Sequence, residues 1–221
     1  MKFQNIWRME KNMKKTINDR TIKMTQMAML IAIMLVFAFT PIGYIRVGAV
    51  EMTLMGLPVA VGAIVCGPLC GAILGGVFGI TSFLQCFGLG ALPSPFGAFI
   101  LSINLWLTLF VCLVPRILCG WLSGLIFKAL KKFDKTKLAS YFVASLSTAL
   151  LNTIFFSGCV LAFFWKNQVF IEKMVEWDLP VDTVWVFLIA FIGINGVIEA
   201  VVNFIIGASV AKTIDKAVSK N

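Results

Sequence analysis

Histidine is absent from this 221-residue chain, tyrosine occurs only twice, and acidic residues number only 10. Without histidine there is no imidazole base, no histidine ligand for haem and no usual zinc hydrolase site. The chain also has no G-x-x-x-x-G-K-[ST] phosphate-binding loop. These absences exclude histidine-based catalysis, haem ligation by histidine and most zinc hydrolase sites, and they indicate that this chain does not itself hydrolyse ATP. They predict a non-catalytic protein without a metal or another cofactor.

Charged residues are also scarce, at 13% of the chain, while 60% of the residues are hydrophobic. A soluble protein of this size could not bury so much apolar surface in one core. The apolar runs are too long for barrel strands and do not alternate with polar residues. We therefore predict an all-α integral membrane protein with six transmembrane helices. The predicted spans cover residues 24–40, 52–66, 69–86, 102–127, 138–165 and 184–210.

Orientation follows from the basic residues. Fifteen of the 19 Lys and Arg residues lie in three segments that six spans would place on one side. Basic loops face the cytoplasm, so the N-terminus and C-terminus are predicted to be cytoplasmic. The net charge of +9 then suits a lipid bilayer, and no nucleic-acid partner is expected. The chain divides into a basic N-terminal segment 1–23, a six-helix domain 24–210 and a C-terminal tail 211–221.

Three polar residues are predicted to share one depth in the membrane. Arg116, Asn152 and Glu199 each lie about 20–23 Å from the outer face, at ~1.5 Å per helical residue. Ionisable groups inside a span are costly and usually face protein or a cavity. Arg116 and Glu199 either form a buried polar pair that locks two helices together or line the floor of a polar binding pocket. The sequence favours the buried pair, and the pocket remains the alternative interpretation.

Further polar and aromatic residues lie nearer the predicted outer side. A proline-containing loop at 88–98 is predicted to be an ordered lid there. Arg46, in another outer loop, offers a cation to an anionic ligand. We predict that the substrate-binding residues are Arg46, Gln85, Asn104, Asn152, Trp165 and Asn195.

Small residues recur at helical spacing in two places. Gly67, Gly71 and Gly75 are four residues apart and favour close helix packing. Ala28 and Ala32 likewise form a small-residue groove on one face of the first helix. Such a groove packs either inside the protein or against a helix of another protein, and spacing alone favours internal packing.

Several stretches together resemble a known family. These are TPIGYIRVG at 40–48, TLMGLPV at 53–59, GAIVCGP at 62–68, GAILGGVFG at 71–79 and PRILCG at 115–120. They resemble the S-components of energy-coupling factor (ECF) vitamin transporters, most closely the pantothenate-type branch. The resemblance spans most of residues 24–210.

The resemblance implies a function. Such proteins sit in the prokaryotic plasma membrane and capture a vitamin or precursor from outside, here expected to be pantothenate. They dock through a small-residue groove on helix one, matched by Ala28 and Ala32, onto a transmembrane coupling protein driven by two ATPase subunits. Riboflavin, folate or a thiamine precursor are alternative substrates. A self-sufficient ion-coupled transporter of a small polar metabolite is the competing function.

The predicted topology is testable by labelling single introduced cysteines in intact cells. Positions near Lys132 should react only from the cytoplasm, and positions near Glu176 only from outside. Reversed accessibility at either place would contradict the six-helix arrangement.

Overall fold

The computed structural model describes residues 2–47, 50–134, 139–181 and 183–218. Within these ranges, side chains are described at 20–41, 43, 53–134, 139–181, 183–189, 196–197 and 199–214. Helices dominate the described chain. In order they are α1 (Lys2–Phe39), α2 (Gly56–Val65), α3 (Pro68–Cys86), α4 (Pro95–Ile103), α5 (Leu105–Phe133), α6 (Ala139–Phe164), α7 (Gln168–Glu176), α8 (Val184–Val202) and α9 (Ala208–Val218). A π-helical turn, Asn203–Gly207, joins α8 to α9.

The prediction of a mainly helical, membrane-embedded chain is confirmed. Among the described residues, four helical segments are long and apolar enough to cross a membrane. They are Arg20–Phe39, Pro68–Cys86, Leu105–Phe133 and Ala139–Phe164. The apolar helix α2 has 10 residues, fewer than the ~20 that a full span requires.

The segments between the long helices contain structure that hydropathy did not predict. Strands β1 (Tyr44–Val47) and β2 (Val50–Thr53) pair antiparallel, from Tyr44 opposite Thr53 to Val47 opposite Val50. The hairpin overlaps the start of the predicted second span at 52, so α2 begins four residues later. Five of the eight strand residues are aromatic or β-branched (Tyr44, Ile45, Val47, Val50 and Thr53), and such residues favour strands.

Two short helices lie mostly in segments predicted to be loops. The predicted fourth span at 102–127 starts too early, because residues 102–103 end α4 and α5 begins at Leu105. Helix α4 begins where the Ser94 hydroxyl accepts a hydrogen bond from the Gly97 amide at 3.2 Å, with Pro95 in the first turn. Helix α7 begins where Asn167 Oδ1 accepts from the Phe170 amide at 3.3 Å. Both are ordinary helix-capping arrangements. The lid predicted at 88–98 is therefore partly helical.

The closest helix contact joins α3 to α5 through glycine. A Cβ at Gly75 would overlap the carbonyl oxygen of Arg116, and a Cβ at Gly71 would overlap that of Gly120. The predicted close packing is confirmed for these two glycines. Gly67 has a different role, because it precedes α3 with a φ of 101°, in the left-handed region that suits glycine.

A buried cluster in which half of the residues are aromatic, called the aromatic cluster below, closes one end of the bundle. It draws side chains from α4, α5, α6, α7 and α8 and consists of Phe96, Ile100, Val111, Val160, Phe164, Phe170, Met174 and Phe187. Other apolar clusters join α1 to α2 and α3, and join α2 to α5, α6 and α9.

The glycine contact predicts a contrast between neighbouring substitutions. Gly75→Ala forces a methyl group into the backbone of α5, and overpacking of this kind costs about 1–3 kcal/mol. We expect the melting temperature in detergent to fall by roughly 2–4 °C for each kcal/mol lost.

Gly76→Ala is the matched control, because its Cβ would lie 3.7 Å from Ile117 in ordinary contact. It adds the same helix propensity without the overlap. Equal melting temperatures for the two variants would contradict the proposed backbone contact.

Candidate ligand-binding site

Four polar side chains from four elements form a buried layer, called the polar layer below. Arg116 lies on α5, Asn152 on α6, Glu199 on α8 and Asn203 in the π-helical turn, and all four are buried. Lipid supplies no hydrogen bonds, so such groups must be satisfied by the protein or by a bound molecule.

The position of the Arg116 side chain is fixed by a missing backbone hydrogen bond in its own helix. Pro115 has no amide hydrogen, so the Val111 carbonyl one turn earlier lacks its usual helical donor. Arg116 Nη1 supplies the missing bond, donating to the Val111 oxygen at 3.1 Å and the Cys112 oxygen at 3.0 Å. The guanidinium also lies 4.9 Å from the Phe78 ring centroid and 5.0 Å from that of Phe156. Cation–π contacts therefore help to keep this charge buried.

Glu199 lies where the missing side chain of Gly56 leaves room for it. A Cβ at Gly56 would lie 3.3 Å from Glu199 Oε1 and 3.2 Å from Asn203 Nδ2. The Asn152 amide lies beside the Glu199 carboxylate, and Asn203 Nδ2 donates to the Glu199 carbonyl oxygen at 3.0 Å. The Ser145 hydroxyl donates to the Asn203 carbonyl oxygen at 2.6 Å, which ties the π-helical turn to α6.

The polar layer is incompletely hydrogen-bonded. Four of its buried atoms have no partner: Arg116 Nε, Asn152 Oδ1, Glu199 Oε1 and Asn203 Oδ1. The Arg116 and Glu199 side chains, both of them described, make no direct ion pair, because the guanidinium contacts carbonyls and rings instead. Each unpaired buried group costs about 1–3 kcal/mol. Of the two alternatives for Arg116 and Glu199, this geometry favours the pocket.

The other predicted substrate-binding residues have different surroundings. Gln85 is buried near the end of α3, and its Nε2 has no partner. Asn104 is exposed and caps α5, because its Oδ1 accepts from the Leu107 amide at 3.1 Å. The Trp165 ring lies 5.3 Å from the Phe187 ring and packs on the aromatic cluster. Asn104 and Trp165 are each about three helical turns from the polar layer.

Two predicted residues are described only in their backbone. Arg46 lies on β1 opposite Glu51, and Asn195 lies within α8. Their side chains lie outside the described part of the chain.

Sequence reasoning missed two features of the layer. Asn203 was not among the predicted site residues, although it lies four residues after Glu199, a helical spacing that could have indicated it. The aromatic contacts of Arg116 had no signal in sequence, because Phe78 and Phe156 lie on other helices.

The small-residue face of α1 is directed outward. Ala28 and Ala32 are both exposed, beside the exposed side chains of Met29, Val36 and Phe39. Spacing alone favoured internal packing, whereas in the structure this face is open to lipid or to another protein.

Comparison with known proteins adds to this geometry. The model of the family described as "ECF transporter, substrate-specific component" matches residues 22–211. The chain is also 26% identical over 205 residues to "Pantothenate transporter PanT" of Leuconostoc mesenteroides subsp. mesenteroides, covering 89% of this chain and 94% of that protein.

A family match over most of the chain agrees with the membrane-capable helices and the buried polar layer. The chain therefore belongs to the substrate-specific components of ECF transporters, the non-catalytic subunits that bind the transported substrate.

Proposed function

We propose that this protein captures pantothenate from outside the cell and delivers it by docking onto an ATPase-driven ECF module. In this proposal six helices span the plasma membrane, and both termini are cytoplasmic. The module consists of a transmembrane coupling protein and two ATPase subunits. The single observation that carries the binding role is the polar layer, with its four unpaired buried atoms.

The chemistry of the layer suits this substrate. Pantothenate has a carboxylate, an amide and two hydroxyl groups. Arg116 provides a cation with an unpaired Nε, while the oxygens of Asn152, Glu199 and Asn203 can accept hydrogen bonds from hydroxyl and amide groups. Gln85 and Asn195 are proposed as further contacts nearer the outer side. The name of the 26%-identical relative supports the same substrate.

Docking is proposed to use the exposed face of α1. Small residues four apart allow the backbone of another helix to approach closely. Ala28 and Ala32 have that spacing and lie on the surface. The proposed partner is the transmembrane coupling protein of the module.

Binding can be tested by calorimetry on detergent-purified protein. We expect pantothenate to bind, and Arg116→Gln to weaken binding about 10- to 150-fold, as for loss of a hydrogen bond to a charged group. Arg20→Gln, on the exposed part of α1, is the matched control and should bind as the wild type does. Absence of pantothenate binding to the wild type would contradict the proposed substrate. Mass spectrometry of co-purified small molecules would then identify another one.

The variant Glu199→Gln distinguishes two roles of Arg116 and Glu199, as lining of a ligand pocket or as a structural ion pair. Because no ion pair is broken, we expect the ligand-free protein to change in stability by less than about 1 kcal/mol, while pantothenate affinity falls. Breaking a buried pair would instead cost about 3–5 kcal/mol. The measurement is a double-mutant cycle of melting temperatures with Arg116→Gln. Large losses in both single variants and recovery in the double variant would establish the structural pair.

Docking and binding should be separable. Ala28→Trp and Ala32→Trp should abolish uptake in cells but leave pantothenate affinity nearly unchanged, because a bulky side chain fills only the proposed groove. Gly158→Trp is a control, since nothing lies within 4 Å of a Cβ at that exposed position on α6. Equal losses of binding and uptake would contradict the docking role. Undiminished uptake in cells without an ECF module would indicate an ion-coupled carrier.

A further inference from the structure

A groove lies at the opposite end of α5 from the aromatic cluster. Its volume is about 520 Å³. It lies between the first transmembrane stretch of α1, the junction of α2 with α3, and the last turns of α5. Its lining residues are Lys23, Ala63, Ile64, Val65, Cys66, Gly67, Pro68, Leu69, Trp121, Leu125, Phe127, Lys128 and Lys131.

The groove carries positive charge without a lining carboxylate. Three lysines, Lys23, Lys128 and Lys131, line it, and no acidic residue is among the described residues that form its wall. The Lys128 side chain lies over Gly67, and Lys131 Nζ lies 5.1 Å from the centre of the Phe127 ring. The uncapped N-terminus of α3 adds its partial positive charge at the same place. This end of the groove is therefore suited to an anion.

The remaining wall is apolar and exposed. Leu69 is 73% exposed and Trp121 44% exposed. Along α5 the two kinds of residue are separated, with Trp121 and Leu125 first and Lys128 and Lys131 one to two turns later. Tryptophan is enriched where the hydrocarbon core meets the headgroup region. The groove thus places cations at the membrane surface and an apolar wall below them.

We propose that this lysine groove binds an anionic phospholipid, with its phosphate among the three lysines and its acyl chains along Leu69, Trp121 and Leu125. A phospholipid likewise carries its negative charge in the headgroup at the membrane surface and its hydrocarbon chains below it. A free anion would leave the exposed apolar wall unused. The proposal concerns a site separate from the polar layer and does not depend on pantothenate being the substrate.

The test uses full-length protein in detergent, with phosphatidylglycerol and phosphatidylcholine of identical acyl chains. Melting temperature and native mass spectrometry report binding. We expect phosphatidylglycerol to raise the melting temperature and to remain bound, and phosphatidylcholine to do neither. Each lysine close to the headgroup should strengthen binding about fivefold.

Matched variants locate the site. Joint replacement of Lys23, Lys128 and Lys131 by Gln should weaken phosphatidylglycerol binding on the order of 100-fold, by the same relation. Joint replacement of the exposed Lys132, Lys166 and Lys212 by Gln removes equal charge outside the groove and should leave binding intact. Lys128→Gln alone, expected to weaken binding about fivefold, provides the test if the triple variant does not fold.

Several results would overturn the proposal. Equal stabilisation by phosphatidylcholine would show that the headgroup is not recognised. Equal loss in the control variant would place binding outside the groove. The same stabilisation by inorganic phosphate alone would indicate a free-anion site. Unchanged lipid binding in the groove variant, with lost co-purification of the coupling module, would identify a protein-docking surface instead.

Discussion

The backbone contact between α3 and α5 is the constraint on which the position of the buried Arg116 depends. Gly71 and Gly75 remove the side chains that would separate the two helices, so α3 lies directly against the carbonyls of Gly120 and Arg116. That contact permits only one register, because a shift along the axis would bring larger side chains of α3 against the α5 backbone. Phe78, one turn beyond Gly75, is thereby placed over the Arg116 guanidinium. The packing of α3 against α5 therefore also fixes where the buried charge of Arg116 lies.

Arg116 also shows how a charge can be kept inside a membrane protein without a direct counter-ion. Proline removes a helical donor, and the arginine restores it from the next residue. Two aromatic rings stabilise the rest of the guanidinium. This arrangement leaves Nε and the Glu199 carboxylate oxygen without protein partners. Groups that are positioned but unpaired are well suited to a polar ligand, because little reorganisation is required when it binds.

The two ends of the molecule differ in their chemistry. The end with α4 and α7 is closed by packed aromatic side chains, with Phe170 at the centre of several ring contacts. The opposite end carries the lysine groove. The positions of Lys and Arg in the sequence show the basic segments but not the groove. Lys23 and Lys128 are more than 100 residues apart in the chain and line one groove only after folding. The short helices α4 and α7 were missed for a related reason: their capping residues lie in segments without a long apolar run.

The sequence by itself determined that the chain is helical and embedded in a membrane, because hydropathy is a local property that can be read residue by residue. It also predicted that the polar residues of α5, α6 and α8 lie at one level, since helical rise converts sequence distance into distance along the helix axis. Only the tertiary structure decided which polar atoms have partners, that Arg116 contacts rings and carbonyls rather than Glu199, and that Ala28 and Ala32 face outward. These outcomes depend on how each helix is rotated about its axis and on its register against its neighbours. Both are set by close packing between residues that are distant in sequence.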